Sequence, residues 1–271
     1  MTASGDDQPT RRRWRLVPIP VLTGVLAVIA AVVLAVFLSG CRGPSGGQGP
    51  AASSRSAAPS TGPTYRATAR VPVGKTPAGV AVNPGTQTVY VTNYVDGAVS
   101  VIDGSTRTVT VTVPVGTDPS GVAVDPGTHT VYVTNESDGT VSVIDGSTRT
   151  VTATVPVKSP NGVAVDPGTH TAYVTNYVDG AVSVIDGSTR TVTATVPVGN
   201  RPNGVAVDPG THTVYVTSGD DTVSVIDGST RTVTATVPVG KHPGGVAVDP
   251  GSHTVYVTDW GDGTVSVIEH R

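Results

Sequence analysis

Residues 108–149 read TVTVTVPVGTDPSGVAVDPGTHTVYVTNESDGTVSVIDGSTR. Within this stretch Val109, Val111, Val113 and Val115 alternate with Thr and Pro, and Val122 and Val124 flank Ala123. Val131 and Val133 flank Tyr132, and Val141 and Val143 flank Ser142. Each run is short, β-branched and of period two, which predicts four strands. The connections are turn sequences: Asp125-Pro126-Gly127, the hairpin dipeptides Asp138-Gly139 and Asp145-Gly146, and a link from Gly116 to Ser120 carrying Pro119. Short hairpins join antiparallel neighbours, whereas a parallel β-helix needs long crossovers. The stretch therefore predicts a four-stranded antiparallel meander.

Working outward, the same unit recurs over residues 66–107, 108–149, 150–190, 191–231 and 232–271. A repeat of this length holding four strands is the pattern of a β-propeller blade, whose apolar faces are buried only against neighbouring blades. The strands of one unit are denoted A (GVAVD), B (TVYVTN), C (TVSVID) and D (TVTATVPV). The repeats open on a weakened D-type strand, Ala67 to Val73, and finish after a C strand at Ile268. The first strand is expected to complete the last blade and close the ring, removing two open edges. The expected fold is all-β, a five-bladed β-propeller of four-stranded antiparallel blades.

The B strands carry Tyr90-Val91-Thr92-Asn93, Tyr132 to Asn135 and Tyr173 to Asn176, with Tyr215 to Ser218 and Tyr256 to Asp259 as variants. With "PxGVAVDP" and "TVSVID" at their expected places, the repeat region as a whole resembles the YVTN family of β-propellers. The resemblance implies a propeller of the surface-layer type.

Residues 1–65 are different material. Arg11-Arg12-Arg13-Trp14-Arg15 precedes an uncharged apolar run from Leu16 to Leu38. The basic end is expected to stay in the cytosol while the rest is exported. Leu38-Ser39-Gly40-Cys41 resembles a bacterial lipobox, and Cys41 is the single cysteine of the chain. That resemblance implies cleavage before Cys41 and its lipidation, with acyl burial holding the protein at the membrane. An uncleaved membrane anchor is the alternative, since the apolar run is long enough to span a bilayer. Thr10 to Trp14 weakly resembles a twin-arginine export signal, and a plain basic leader explains it equally. Residues 1–40 thus read as signal or membrane segment. Residues 41–65, rich in Gly, Ser, Pro and Ala without apolar periodicity, read as a tether. Residues 66–271 form the propeller, expected outside the cell membrane.

From Cys41 onward the chain carries 13 Lys and Arg against 18 Asp and Glu, and residues 1–40 carry four Arg against two Asp. A mildly acidic domain with no basic cluster lacks the electrostatic footprint for nucleic acid. No cysteine stands in the repeats, so their stability rests on packing rather than disulfides.

The repeats also invite comparison with one another. Strands, A–B turns and C–D turns barely change, while the D–A links (KTPA, TDPS, KSPN, NRPN, KHPG) and B–C links (NYVDG, NESDG, NYVDG, SGDD, DWGDG) vary. In a propeller these two loop sets emerge on one face. It carries Tyr94, Tyr177 and Trp260 beside Lys75, Lys158, Arg201, Lys241 and His242. Rigid aromatics beside cations suit recognition of a protein or glycan, because flat rings supply contact area at little entropic cost. Relaxed drift in exposed loops is the plainer explanation of the same variation.

The uniform residues point away from metal and catalysis. His129, His170, His212 and His253, with Gln87 in the first unit, hold one turn position. Sheets about 10 Å apart cannot bring four imidazoles within about 2.1 Å of one ion, so they read as repeated turn residues. Asp96, Asp138, Asp179, Asp221 and Asp262 sit where hairpin turns favour aspartate, without calcium-loop spacing. Arg107, Arg149, Arg190 and Arg231 end the C–D turns and are expected to pair with Asp or lie in solvent. Catalysis needs unlike groups converging, and these blades are alike. Strand patterns similar to those of virginiamycin B lyase keep a propeller lyase or hydrolase as an alternative, alongside a structural surface-layer role. No catalytic residue, metal or cofactor is expected.

Overall fold

The computed structural model describes residues 66–269. The signal segment, the lipobox at Leu38, Ser39, Gly40 and Cys41, and the 41–65 tether lie outside the described residues. The strands are β1 (Pro77–Asn83), β2 (Thr88–Asn93), β3 (Ala98–Asp103) and β4 (Thr108–Pro114), then β5 (Pro119–Asp125), β6 (Thr130–Asn135), β7 (Thr140–Asp145) and β8 (Thr150–Pro156). They continue as β9 (Pro160–Asp166), β10 (Thr171–Asn176), β11 (Ala181–Asp186) and β12 (Thr191–Pro197). The remainder are β13 (Val205–Asp208), β14 (Thr213–Ser218), β15 (Thr222–Asp227), β16 (Thr232–Pro238), β17 (Pro243–Asp249), β18 (Thr254–Asp259) and β19 (Thr264–Ile268). Each group of four forms an antiparallel sheet in chain order, and β17-β18-β19 forms a three-stranded fifth. The molecule is an all-β array of five propeller-like blades.

Alternation in sequence becomes alternation in space. Tyr90, Val99, Val101 and Val113 of the first blade face Val131, Val133 and Ile144 of the second, and equivalent clusters fill the next three junctions. Most of these valines are fully sealed from solvent, and burying each contributes about 1.5–3 kcal/mol. The D strands depart from simple alternation. Register shifts at Val101/Ile102, Val143, Val184 and Val225 bulge out one threonine per blade. The bulged Thr110, Thr152, Thr193 and Thr234 each donate a hydroxyl to the facing valine carbonyl at 3.1–3.3 Å. A bulge leaves one residue unpaired, and a hydroxyl at that place satisfies the freed acceptor.

Polar contacts fix the junctions. Thr92 donates to the Ser120 carbonyl of the next blade at 2.8 Å, and Thr134, Thr175 and Thr217 repeat this on Asn161, Asn203 and Gly244 at 2.7, 2.9 and 2.8 Å. On the other side of each blade the turn histidine reaches back to the preceding blade. His170 Nδ1 lies 2.7 Å from Asp125, His212 Nδ1 2.7 Å from Asp166 and His253 Nδ1 2.6 Å from Asp208. His129 meets Asn83 at 2.9 Å in the same way. These three aspartates are fully buried, and each also accepts the amide of the glycine two residues on. The histidines are therefore inter-blade latches and not only turn residues. They hold left-handed backbone, with φ between 53 and 58°.

The Asp145-Gly146 turn differs from a two-residue hairpin. Asp145 accepts the amides of Ser147 and Thr148, and the left-handed residue is Arg149 (φ 59°). Gly146 is required for space, because a Cβ there would sit 2.5 Å from the His129 carbonyl and 2.7 Å from the Tyr90 hydroxyl. Asp138-Gly139 does place its glycine at positive φ, 62°.

Ring closure through Ala67 to Val73 is not formed. Residues 66–73 carry no strand, and β19 has no fourth partner among the described residues. Ala67 and Arg70 stand where the complete D strands carry valine and threonine, so the segment lacks branched side chains that fit a pleated face. Sheets pack in succession through β1, β5, β9, β13 and β17, with no comparable packing of β17 back onto β1. Among the described residues the array is an open arc whose first and last blades do not pack on each other.

The latch geometry sets an expected outcome for stability. Asp166→Ala removes the His212 partner and the Gly168 cap from a buried site, lowering stability by about 1–3 kcal/mol. Its counterpart Asp249 is exposed in the last blade and caps Gly251 with no histidine partner, so Asp249→Ala should lower the urea midpoint by clearly less. Equal midpoints for the two variants would remove the latch from the account.

Candidate functional site

The D–A and B–C loops of each blade are hydrogen-bonded to one another and so share a face. Asp96 accepts the Lys75 amide, Asp138 the Thr117 amide and Asp262 the Lys241 amide, each at 2.7 Å. In the fourth blade, whose B–C loop is shorter, Asp220 takes the Asn200 amide at 2.8 Å instead. Asp221 there accepts the His242 amide of the next blade at 2.8 Å. Backbone bonds from Tyr94, Glu136 and Tyr177 to the carbonyls of Thr76, Asp118 and Ser159 complete the pairing. On the opposite face, Gly104, Gly146, Gly187 and Gly228 donate to the carbonyls of Gln87, His129, His170 and His212, joining C–D to A–B turns. Asp96, Asp138, Asp221 and Asp262 thus brace one loop to another, while Asp179 faces the Lys158 ammonium.

This bracing holds a varied set of side chains on a rigid rim. Trp260 is 72% exposed and stacks on His242, with ring centroids 4.8 Å apart and an interplanar angle of 24°. Tyr177 is exposed, while Tyr94 is half-buried against the second blade. Burial, with the charges of Glu136 and Asp118, pushes the Tyr94 phenol up. Lys75, Lys158, Arg201 and Lys241 are all exposed, and Lys158 lies 3.9 Å from Asp179. The structure brings together Trp260 with His242 and Lys158 with Asp179, and it distributes the other candidates around the arc.

Two contributions were not visible in the sequence. Val178 is 74% and Val95 61% exposed, so each Tyr-Val pair presents an apolar tip on its B–C loop. The second is Glu136, whose carboxylate accepts a hydrogen bond from Asn161 of the next blade at 3.0 Å. Burial raises its pKa, against hydrogen bonds from Ser120 and Asn161 that lower it, and Asp118 adds repulsion that raises it further. Asp118 also accepts the Ser137 hydroxyl. Tyr94, Asp118, Glu136 and Asn161 bring unlike titratable and amide groups from three blades into one loop neighbourhood. The uniqueness of Glu136 among the B–C loops was the single cue available from sequence.

The C–D arginines Arg107, Arg149, Arg190 and Arg231 are exposed and form no ion pair among the described residues. Among these residues no three His, Cys, Asp or Glu side chains come together as a metal ion would require.

No family model and no curated protein matches the sequence. Among solved structures, hydrazine synthase from Kuenenia stuttgartiensis is similar with a TM-score of 0.67 and 22% identity, over 77% of this chain and 67% of that one. A functionally unknown protein from Desulfotomaculum acetoxidans DSM 771 is similar with a TM-score of 0.62 and 15% identity, over 73% of this chain and 70% of that one. At such identities the likeness concerns the fold.

Glu136 gives a pH signature. Its folded-state value is raised, so the stability held while it is protonated, below its ordinary 4.5, is lost as pH rises through the raised value. Glu136→Gln keeps an acceptor for Asn161 and cannot ionise. The variant should have the higher urea midpoint at about pH 7, and the difference should vanish below pH 4.5. A pH-independent difference would remove the burial argument.

Proposed function

We propose that the chain is a membrane-tethered, extracytoplasmic β-propeller of YVTN type that recognises a protein or glycan through the face formed by its D–A and B–C loops. The observation that carries this reading is the 72% exposed Trp260 stacked on His242, on the same rim as Tyr177, Val178 and the exposed Lys75, Lys158, Arg201 and Lys241. Stacked aromatics held by a braced backbone offer area with little ordering cost, and flanking cations add hydrogen-bond donors for carboxylates or sugar hydroxyls. The face is non-catalytic in this reading, with neither cofactor nor metal, and nucleic acid is excluded as partner by the mildly acidic charge.

Tethering rests on Cys41 and the preceding Leu38-Ser39-Gly40, with residues 41–65 as the spacer. A structural cell-envelope role is the second reading, favoured by the exposed apolar faces at the two ends of the arc.

Replacing Tyr94, Tyr177 and Trp260 together by Ala should weaken binding to purified cell-wall glycan or extracytoplasmic protein by about tenfold or more. Unchanged far-ultraviolet circular dichroism should accompany that loss, and equal binding by the variant would sink the recognition reading. Cys41→Ala should abolish incorporation of labelled fatty acid and leave an unprocessed precursor. Normal labelling of that variant would end the lipid-anchor reading.

A further inference from the structure

Four junctions inside this chain share one set of contacts, and the two ends of the arc each carry half of a fifth. On the last blade the outward face holds Tyr256, Val265 and Val267, which are 43, 47 and 55% exposed. Their counterparts Tyr90, Tyr132, Tyr173 and Tyr215 are 1, 0, 1 and 7% exposed because a following blade covers them. The first blade carries the reciprocal lack. Val80 and Val82 are 50 and 54% exposed, whereas their counterparts Val122 and Val124 pack against the blade before.

The polar contacts are halved in the same way. Thr258 reaches only the carbonyl of Gly245 in its own blade, at 3.4 Å, where the other four threonines reach the next blade. The carbonyl of Ala78 holds the place taken by Ser120, Asn161, Asn203 and Gly244. Asp249 is exposed, unlike the latched aspartates, and Gln87 occupies the latch position of the first blade without a preceding blade to reach. Among the described residues no tyrosine hydroxyl lies over Gly104, whereas a Cβ added at Gly146, Gly187 or Gly228 would meet the hydroxyl of the preceding blade's tyrosine at 2.7 or 2.8 Å.

We propose that the last blade of one copy docks onto the first blade of a second copy, forming a head-to-tail junction built like the four within the chain. Tyr256, Val265 and Val267 then seal against Val80 and Val82, Thr258 donates to the Ala78 carbonyl, and Gln87 meets Asp249. The occupant is a second copy because each exposed face is matched by the type of face that covers its counterparts at the internal junctions. Within one chain the two faces stand apart across the opening. Such an interface is heterologous, so copies join into a ring or a filament. This inference is independent of loop-face recognition, which involves a different surface.

Sedimentation of the full-length chain in mild detergent at about 10 µM, at or above the micromolar weak end for interfaces of standard size, should show species larger than one chain. Val80→Asp with Val82→Asp should reduce it to single chains, as should Val265→Asp with Val267→Asp. Mixing the two double variants restores one good pair of faces and should yield a one-to-one dimer. That recovery also shows that both variants remain folded. A wild-type chain that sediments as a single copy, including one closed on itself, overturns the proposal. So does an assembly insensitive to both double variants, or a mixture that stays as single chains.

Discussion

The covering of one blade by the next is the constraint on which the structure depends. A four-stranded sheet of valine and threonine has a tyrosine and several valines on one face that remain wet until a neighbour arrives. The neighbour brings its own valines, a backbone carbonyl for the threonine of the B strand and a histidine for the buried aspartate. The motif residues therefore divide the work. In Tyr132-Val133-Thr134-Asn135, tyrosine reaches over the glycine of the next C–D turn, valine faces back, threonine bonds forward, and asparagine braces Gly116 at 3.1 Å and Ser142 at 2.9 Å.

That division explains which features could be read from the sequence. Period two fixes which side chains share a face, so strands, hairpins and the pairing of loop sets followed directly from the residues. The bulge at Thr110 was hidden, because the alternation of Val and Thr runs through it without a break. The latch was hidden for another reason. Its partners are 45 or 46 residues apart, and nothing in the turn sequence DPGTHT states that its histidine serves the previous blade. The expected closure by Ala67 to Val73 follows from the phase of the repeats, and phase does not supply the branched side chains that a strand edge demands.

The candidate face was legible in outline and incomplete in detail. Its aromatics and cations stand out because the surrounding repeat is so uniform. The exposure of Val95 and Val178 depends on loop geometry, and the raised pKa of Glu136 depends on burial between blades. Neither quantity exists in one dimension. The same bracing bonds that satisfy the loop amides hold the rim rigid, so recognition there would involve side-chain selection on a fixed backbone rather than loop ordering.

The near-identity of the junctions has a consequence for how such a chain changes over generations. Excising or duplicating one whole repeat leaves every remaining contact with a partner of the same chemistry, so the length of the array is its least constrained property. Unequal recombination between repeats can alter the span of the arc while preserving the character of both terminal faces.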